Sequence, residues 1–150
     1  MSFIDSLDNS IQAYFKDIFK LLNFVQYEEY TQGMGALRKF KNKDLKIQII
    51  NDRNFISLEI SSIHGDEDFY HSDLISAYIE IKTKLKDKLD IEQKKNILQK
   101  KLDIESQSKF LKIRYDILSA IFNKENYSLT LRKLNELAKE RARIAYGWDI

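Results

Sequence analysis

The chain has 150 residues, 43% hydrophobic and 32% charged, with a net charge of +2 and neither cysteine nor proline. This composition suits one globular domain over residues 1–150 and excludes a disulfide framework, a thiol nucleophile and a thiolate zinc site. No window nears the roughly 18 unbroken apolar residues of a membrane span, and acids stand where a secretory leader is basic, so a cytoplasmic protein without membrane association is expected.

The charge is unevenly spread. Residues 1–80 carry 13 acids and eight Lys/Arg (−5), whereas residues 81–150 carry 10 acids and 17 Lys/Arg (+7). Such halves can form a partner or nucleic-acid surface, attract each other in the fold, or simply be solvated.

Ser2 is placed to cap a first helix, with Asp5 near its positive end. Ile4, Leu7, Ile11, Tyr14/Phe15, Ile18, Leu21/Leu22 and Val25 recur every three or four residues, which predicts one helix with one apolar stripe. Gly33 and Gly35 then bracket Met34, Ala36 to Lys41 predicts a strand, and Asn42-Lys43-Asp44 predicts a turn. Leu45, Ile47 and Ile49 have the two-residue period of a half-buried strand. Asn51 to Asn54 can enter left-handed conformations and close a hairpin into Phe55–Ile60. Leu45, Ile47, Ile49, Phe55, Leu58 and Ile60 are expected to be buried, with the facing of Phe55 and Ile56 left open at the hairpin.

The 81 residues between Gly65 and Gly147 contain neither glycine nor proline and predict helices. Ser72 is expected to cap a helix through Leu74/Ile75, Tyr78/Ile79, Leu85 and Leu89. The phase slips near Asp90, so residues 73–104 form one helix or two. Ser106-Gln107-Ser108 reads as a polar break or a wet helical turn, Phe110 to Phe122 as an apolar helix, and Asn123 to Asn126 as a loop. Ser128 or Thr130 opens the last helix, which Gly147 ends. The expected fold is α+β: an N-terminal helix and a three-stranded antiparallel meander (residues 1–71), then a C-terminal bundle of three or four helices (residues 72–150).

The densest polar stretch, His64 to Asp73, holds both histidines and four carboxylates. Its His64-x6-His71 spacing matches no closed metal site, and acids before a helix suit the helix dipole, so no metal is expected there. No Gly-x-Ser-x-Gly elbow and no phosphate-cradling glycine loop occurs, and the Glu28-Glu29 pair reads as surface. The chain is therefore read as non-catalytic, with no catalytic residues and no cofactor. Arg132, Lys133, Lys139, Arg141 and Arg143 form the strongest basic cluster, offset by Glu136 and Glu140. Lys82, Lys84, Lys86 and Lys88 spread over a wide helical arc, while Lys94, Lys95, Lys100 and Lys101 are interleaved with acids. Nucleic-acid binding by these basic C-terminal helices is the alternative function, against which stand an isoelectric point of only 8.6 and no helix-turn-helix signal.

Between Ala36 and Ile81, a strand ending in Asp52-Arg53, the strand Phe55–Ile60, an acidic loop and a helix beginning Asp73-Leu74-Ile75 resemble small bacterial proteins of unknown function. Some such proteins are grouped with immunity proteins of polymorphic or contact-dependent toxins. The resemblance covers a third of the chain and implies stoichiometric binding of another protein, with no catalytic residue. The chain departs from it in being slightly basic, where many immunity proteins are acidic. Asp52, Arg53, Asp66, Glu67, Asp68 and Asp73 are the expected partner-binding residues, set against the plainer reading of a solvated loop.

Overall fold

A computed structural model describes residues 2–84 and 90–147; Leu85, Lys86, Lys88 and Leu89, named above, lie outside the described residues. Ser2 caps the first helix as expected, its hydroxyl accepting the Asp5 N–H at 3.1 Å. The expected single helix is instead two, α1 (Phe3–Tyr14) and α2 (Lys16–Leu21). Hydrogen bonding runs on through Phe15, whose N–H donates to the Ile11 carbonyl, so the junction is a bend. α2 then packs the Phe19 ring against Phe24 and Phe40, at centroid distances of 5.6 and 4.5 Å. Asn23 adopts a left-handed φ of 60°, and Val25, expected to extend the helical stripe, begins a strand.

The expected three-stranded meander is part of a five-stranded antiparallel sheet in order β1-β2-β3-β4-β5. Its strands are β1 (Val25–Gln32), β2 (Gly35–Lys41), β3 (Leu45–Asp52), β4 (Phe55–Ser62) and β5 (Tyr70–His71). Arg53 and Asn54, at φ 51° and 73°, close the β3–β4 hairpin as the Asn-rich turn predicts.

The strand pairing sorts the residues onto two faces. The rows Glu29–Arg38–Ile49–Leu58 and Gln26–Phe40–Ile47–Ile60–Tyr70 share the inner face, and Leu45, Ile47, Ile49, Leu58 and Ile60 are all fully buried there. Phe55 departs from expectation. It pairs with Asp52, which puts it on the outer face, and it is 80% exposed. Helix α1 packs across β2 and β3.

The C-terminal portion has more helices than expected: α3 (Ser72–Thr83), α4 (Ile91–Gln99), α5 (Ile104–Ile113), α6 (Tyr115–Ile121) and α7 (Tyr127–Ala145). Asp90 and Asp103 divide the stretch by capping α4 and α5, accepting the N–H of Gln93 and of Ser106. The apolar run from Phe110 to Phe122 bends at Arg114, and Gly147 takes the expected left-handed φ of 71° beyond α7. Ser72 does not cap α3. His71 is the N-cap residue, and α7 opens at Tyr127 after Asn126. The buried side chains form one cluster running from Leu7 and the sheet through Leu74, Leu98 and Leu118 to Leu134.

Ser106-Gln107-Ser108 lies inside α5, and Gln107 is only 3% exposed. Its Oε1 accepts the Leu58 N–H at 2.7 Å and the Ser72 hydroxyl at 2.8 Å, while Nε2 donates to the Leu102 carbonyl at 2.8 Å. One amide thus joins β4, α3 and the α4–α5 connection. A buried donor left without its acceptor costs about 1–3 kcal/mol, so Gln107→Ala is expected to destabilise the fold by about 3 kcal/mol in urea unfolding. A loss below about 0.5 kcal/mol would show that water replaces these bonds freely.

Candidate functional site

The outer face of the sheet has a polar end and an open apolar end. One row, Glu28–Lys39–Gln48–Glu59–His71, crosses all five strands. Over it lies the connection of residues 63–69 from β4 to β5, which carries Asp66, Glu67 and Asp68. Glu67 is its latch: Lys39 Nζ lies 2.6 Å from Oε2, and the Tyr27 hydroxyl donates to Oε1 at 3.1 Å. Lys39 also pairs with Glu28 at 3.2 Å and sits 5.5 Å from the Phe69 ring centroid. Lys46 Nζ donates to the Gly65 carbonyl, and the Tyr70 hydroxyl to Asn135 Oδ1 on α7. Gly65 sits close to α7: a Cβ there would lie 3.1 Å from the Tyr127 ring, which would have to give way slightly.

These contacts shift the latch groups away from neutrality. Burial works to raise the Glu67 pKa, but hydrogen bonds from Lys39 and Tyr27 and the Lys39 charge outweigh it and hold it below the ordinary value. Burial, then the Glu67 charge, pushes Tyr27 above the normal tyrosine range. Burial works to lower Lys39, but its bonds to Glu67 and Glu28 dominate and raise it. A general acid or base working near pH 7 needs a pKa close to 7. These three groups are driven the other way, which suits a latch.

Asp66 and Asp68 are exposed on the same connection. Asp52 and Arg53 project from the β3–β4 hairpin, 3.4 Å apart and both largely exposed, as expected. They stand at the opposite end of β4, seven residues or about 23 Å from Ser62. The two charged clusters therefore do not form one patch; they bracket the outer face. Between them the row Tyr30–Leu37–Ile50–Ser57 and the tip residue Phe55 leave an apolar surface open, with Tyr30 53% and nearby Met34 60% exposed. A cleft of about 330 Å³ runs between Tyr30, Leu37, Ile50 and Asp52. The sequence reading missed this surface, although Phe55, Ser57 and Glu59 share one parity against Ile56, Leu58 and Ile60.

Edge strand β1 borders the same surface. Apart from half-buried Tyr27 it is exposed along its eight residues, and it carries neither lysine nor proline, two usual guards against added strands. A bulge between Gln26 and Glu28 interrupts its pairing. Its Glu29 binds Arg38, which also holds Asp8 of α1 through Nε at 2.5 Å and Nη2 at 3.0 Å.

Asp73 belongs elsewhere: it lies in the first turn of α3, and its Oδ1 accepts the Leu102 N–H at 3.3 Å. The two histidines part as well. His64 lies against Tyr127 at 6.4 Å between centroids, and His71 pairs with Glu59 in the sheet. Among the described residues no group of three or more His, Cys, Asp or Glu could hold a metal ion, and no helix is long and apolar enough to cross a membrane. On α7, Arg132, Lys139 and Arg143 fall within about 40° of arc, but Glu136 interrupts them.

Compared with protein-family models, curated proteins and solved structures, the chain matches none.

The lowered Glu67 pKa fixes a pH dependence. A carboxylate with a depressed folded pKa stabilises the fold above its unfolded pKa and loses that contribution as pH falls through the folded value. Amide exchange of residues 63–69 is therefore expected to lose protection selectively as pH drops below the ordinary glutamate range, after correction for intrinsic rates. Glu67→Gln should show the reduced protection already at neutral pH and a flatter profile. A wild-type profile matching that of the variant would rule out the latch.

Proposed function

We propose that this is a non-catalytic interaction protein of the toxin-immunity kind, which binds one partner protein stoichiometrically through the open outer face of its sheet. The observation that carries the reading is the outer-face row Tyr30–Leu37–Ile50, with Phe55, 80% exposed, diagonal to Ile50 on β4, on a face bracketed by exposed acids. Exposed contiguous apolar surface rimmed by polar residues is the mark of a binding face, and aromatic anchors dominate such interfaces. The chemistry of the rim selects the partner. Asp66 and Asp68 at one end, Asp52 at the other and Glu28 along β1 suit a protein that presents an apolar knob within a basic border. Because Lys39 and Tyr27 hold Glu67, Asp66 and Asp68 do the steering. Nucleic-acid binding by α7 has weaker support, since Glu136 interrupts the only basic stripe on that helix that is aligned.

The test is binding to the product of the adjacent gene, expressed as an inactivated toxin. Phe55→Asp combined with Tyr30→Lys is expected to weaken the complex by about 100-fold or more, with a melting temperature within about 2 °C of wild type, because both side chains are exposed. Retained affinity in the double variant, or no complex at all, would overturn the assignment. Concentration-dependent dimers lost in the same variant would assign the face to a second copy of this chain.

A further inference from the structure

Beyond the opposite, β5 edge of the sheet lies a cleft of about 560 Å³. His71 and Asp73 at the start of α3, Lys100 and Lys101 in the α4–α5 connection and Arg141 on α7 line it, with Leu98 supplying an apolar wall. None of the three cations has an ion-pair partner among the described residues. The acidic first half of the chain does not neutralise them. The ion pairs of the described residues join acids and bases within residues 8–84 or within residues 94–140. Three like charges drawn together on a concave wall repel one another, and the same geometry focuses their field on an anion.

We propose that this cleft binds a phosphate monoester of nucleotide size, held by Arg141, Lys100 and Lys101 through its phosphate, with Asp73 accepting a ligand hydroxyl. The charge selects a phosphate dianion, because among the described residues lining the cleft three cations stand against one carboxylate. Arginine and lysine supply the charge-assisted donors that such a group takes. The volume falls within the range of small-molecule pockets, and the Leu98 wall suits the uncharged body of the ligand. Asp73 holds the connection in place through the Leu102 N–H on Oδ1, and among the described residues Oδ2 makes no hydrogen bond. A nucleic-acid strand is disfavoured because Glu136 interrupts the α7 cations outside the cleft, so that helix offers no continuous track for a phosphate backbone.

Isothermal titration of the full chain with AMP, adenosine, inorganic phosphate and a 5′-phosphorylated oligouridine tests this. AMP is expected to bind one per chain, with adenosine weaker by about tenfold or more. Arg141→Gln and Lys101→Gln should each weaken AMP by about fivefold to tenfold, and Asp73→Asn should narrow the preference for AMP over inorganic phosphate. Lys101 is exposed, so Lys101→Gln decides the matter if Arg141→Gln fails to fold. No binding at about 5 mM AMP, equal binding of adenosine, or insensitivity to both cation variants would overturn the proposal. Oligouridine binding tighter than AMP with a multi-phosphate salt slope would overturn it too, by assigning the cleft to RNA.

Discussion

The position of the helical layer over the sheet depends on one buried amide. Strand β5 pairs only at Tyr70 and His71, opposite Ile60 and Glu59, so among the described residues the edge of β4 from Leu58 back to Phe55 has no neighbouring strand. Leu58 is fully buried, and a buried backbone donor needs an acceptor. Gln107 supplies it from α5, and the same side chain takes the Ser72 hydroxyl and donates to Leu102. Apolar burial is non-directional and would hold these elements together in many relative positions. The amide selects one. Further keys act at other points: Ser62 donates to the Phe122 carbonyl, Thr130 to the Ile121 carbonyl, and Tyr115 joins Asn42 and Asp44 at the β2–β3 turn. Tyr115 titrates high, pushed up to about 12 by burial and then by its hydrogen bond to Asp44, so this key stays protonated under ordinary conditions.

Much of the sheet could be read from the residues because Leu45, Ile47 and Ile49 keep a two-residue period in β3 and Arg53 and Asn54 mark its turn. Strand β1 could not. It is an edge strand wet on both faces, and its bulge breaks what alternation Val25, Tyr27 and Tyr30 would offer. The bends at Phe15 and Arg114 were equally hidden, since both keep helical hydrogen bonds and neither involves glycine or proline. The burial of Gln107 was hidden for a different reason: its main partner, the Leu58 N–H, is 49 residues upstream. A polar triplet with distant partners looks like a break in any local window.

The candidate site shows the same limit. His64 to Asp73 is one charge-rich decade in the sequence, yet its members face three ways: Glu67 onto the sheet, His64 toward Tyr127, and Asp73 into the cleft beside α7. Linear clustering joined the exposed Asp66 and Asp68 to Asp73, which lies beyond the sheet edge. The apolar half of the open face was legible from the parity of Phe55 with Ser57 and Glu59, had the hairpin register been followed through the turn.

The same decade separates the two proposed surfaces physically. The open face spans β1 to β4 on the outer side of the sheet, whereas the cleft lies beyond the β5 edge. The chain that runs between them is anchored at each step. Glu67 is fixed to β1 and β2 through Tyr27 and Lys39, Tyr70 to α7 through Asn135, and Ser72 to α5 through Gln107. A segment tied at three points has little freedom to pass a displacement from one surface to the other, and coupling needs an element with two discrete arrangements. Loss of the Glu67 latch would remove the first anchor only, leaving Tyr70 and Ser72 to hold the start of α3 and with it the cleft. The two proposed surfaces, one on the outer face and one beyond the β5 edge, would then act independently.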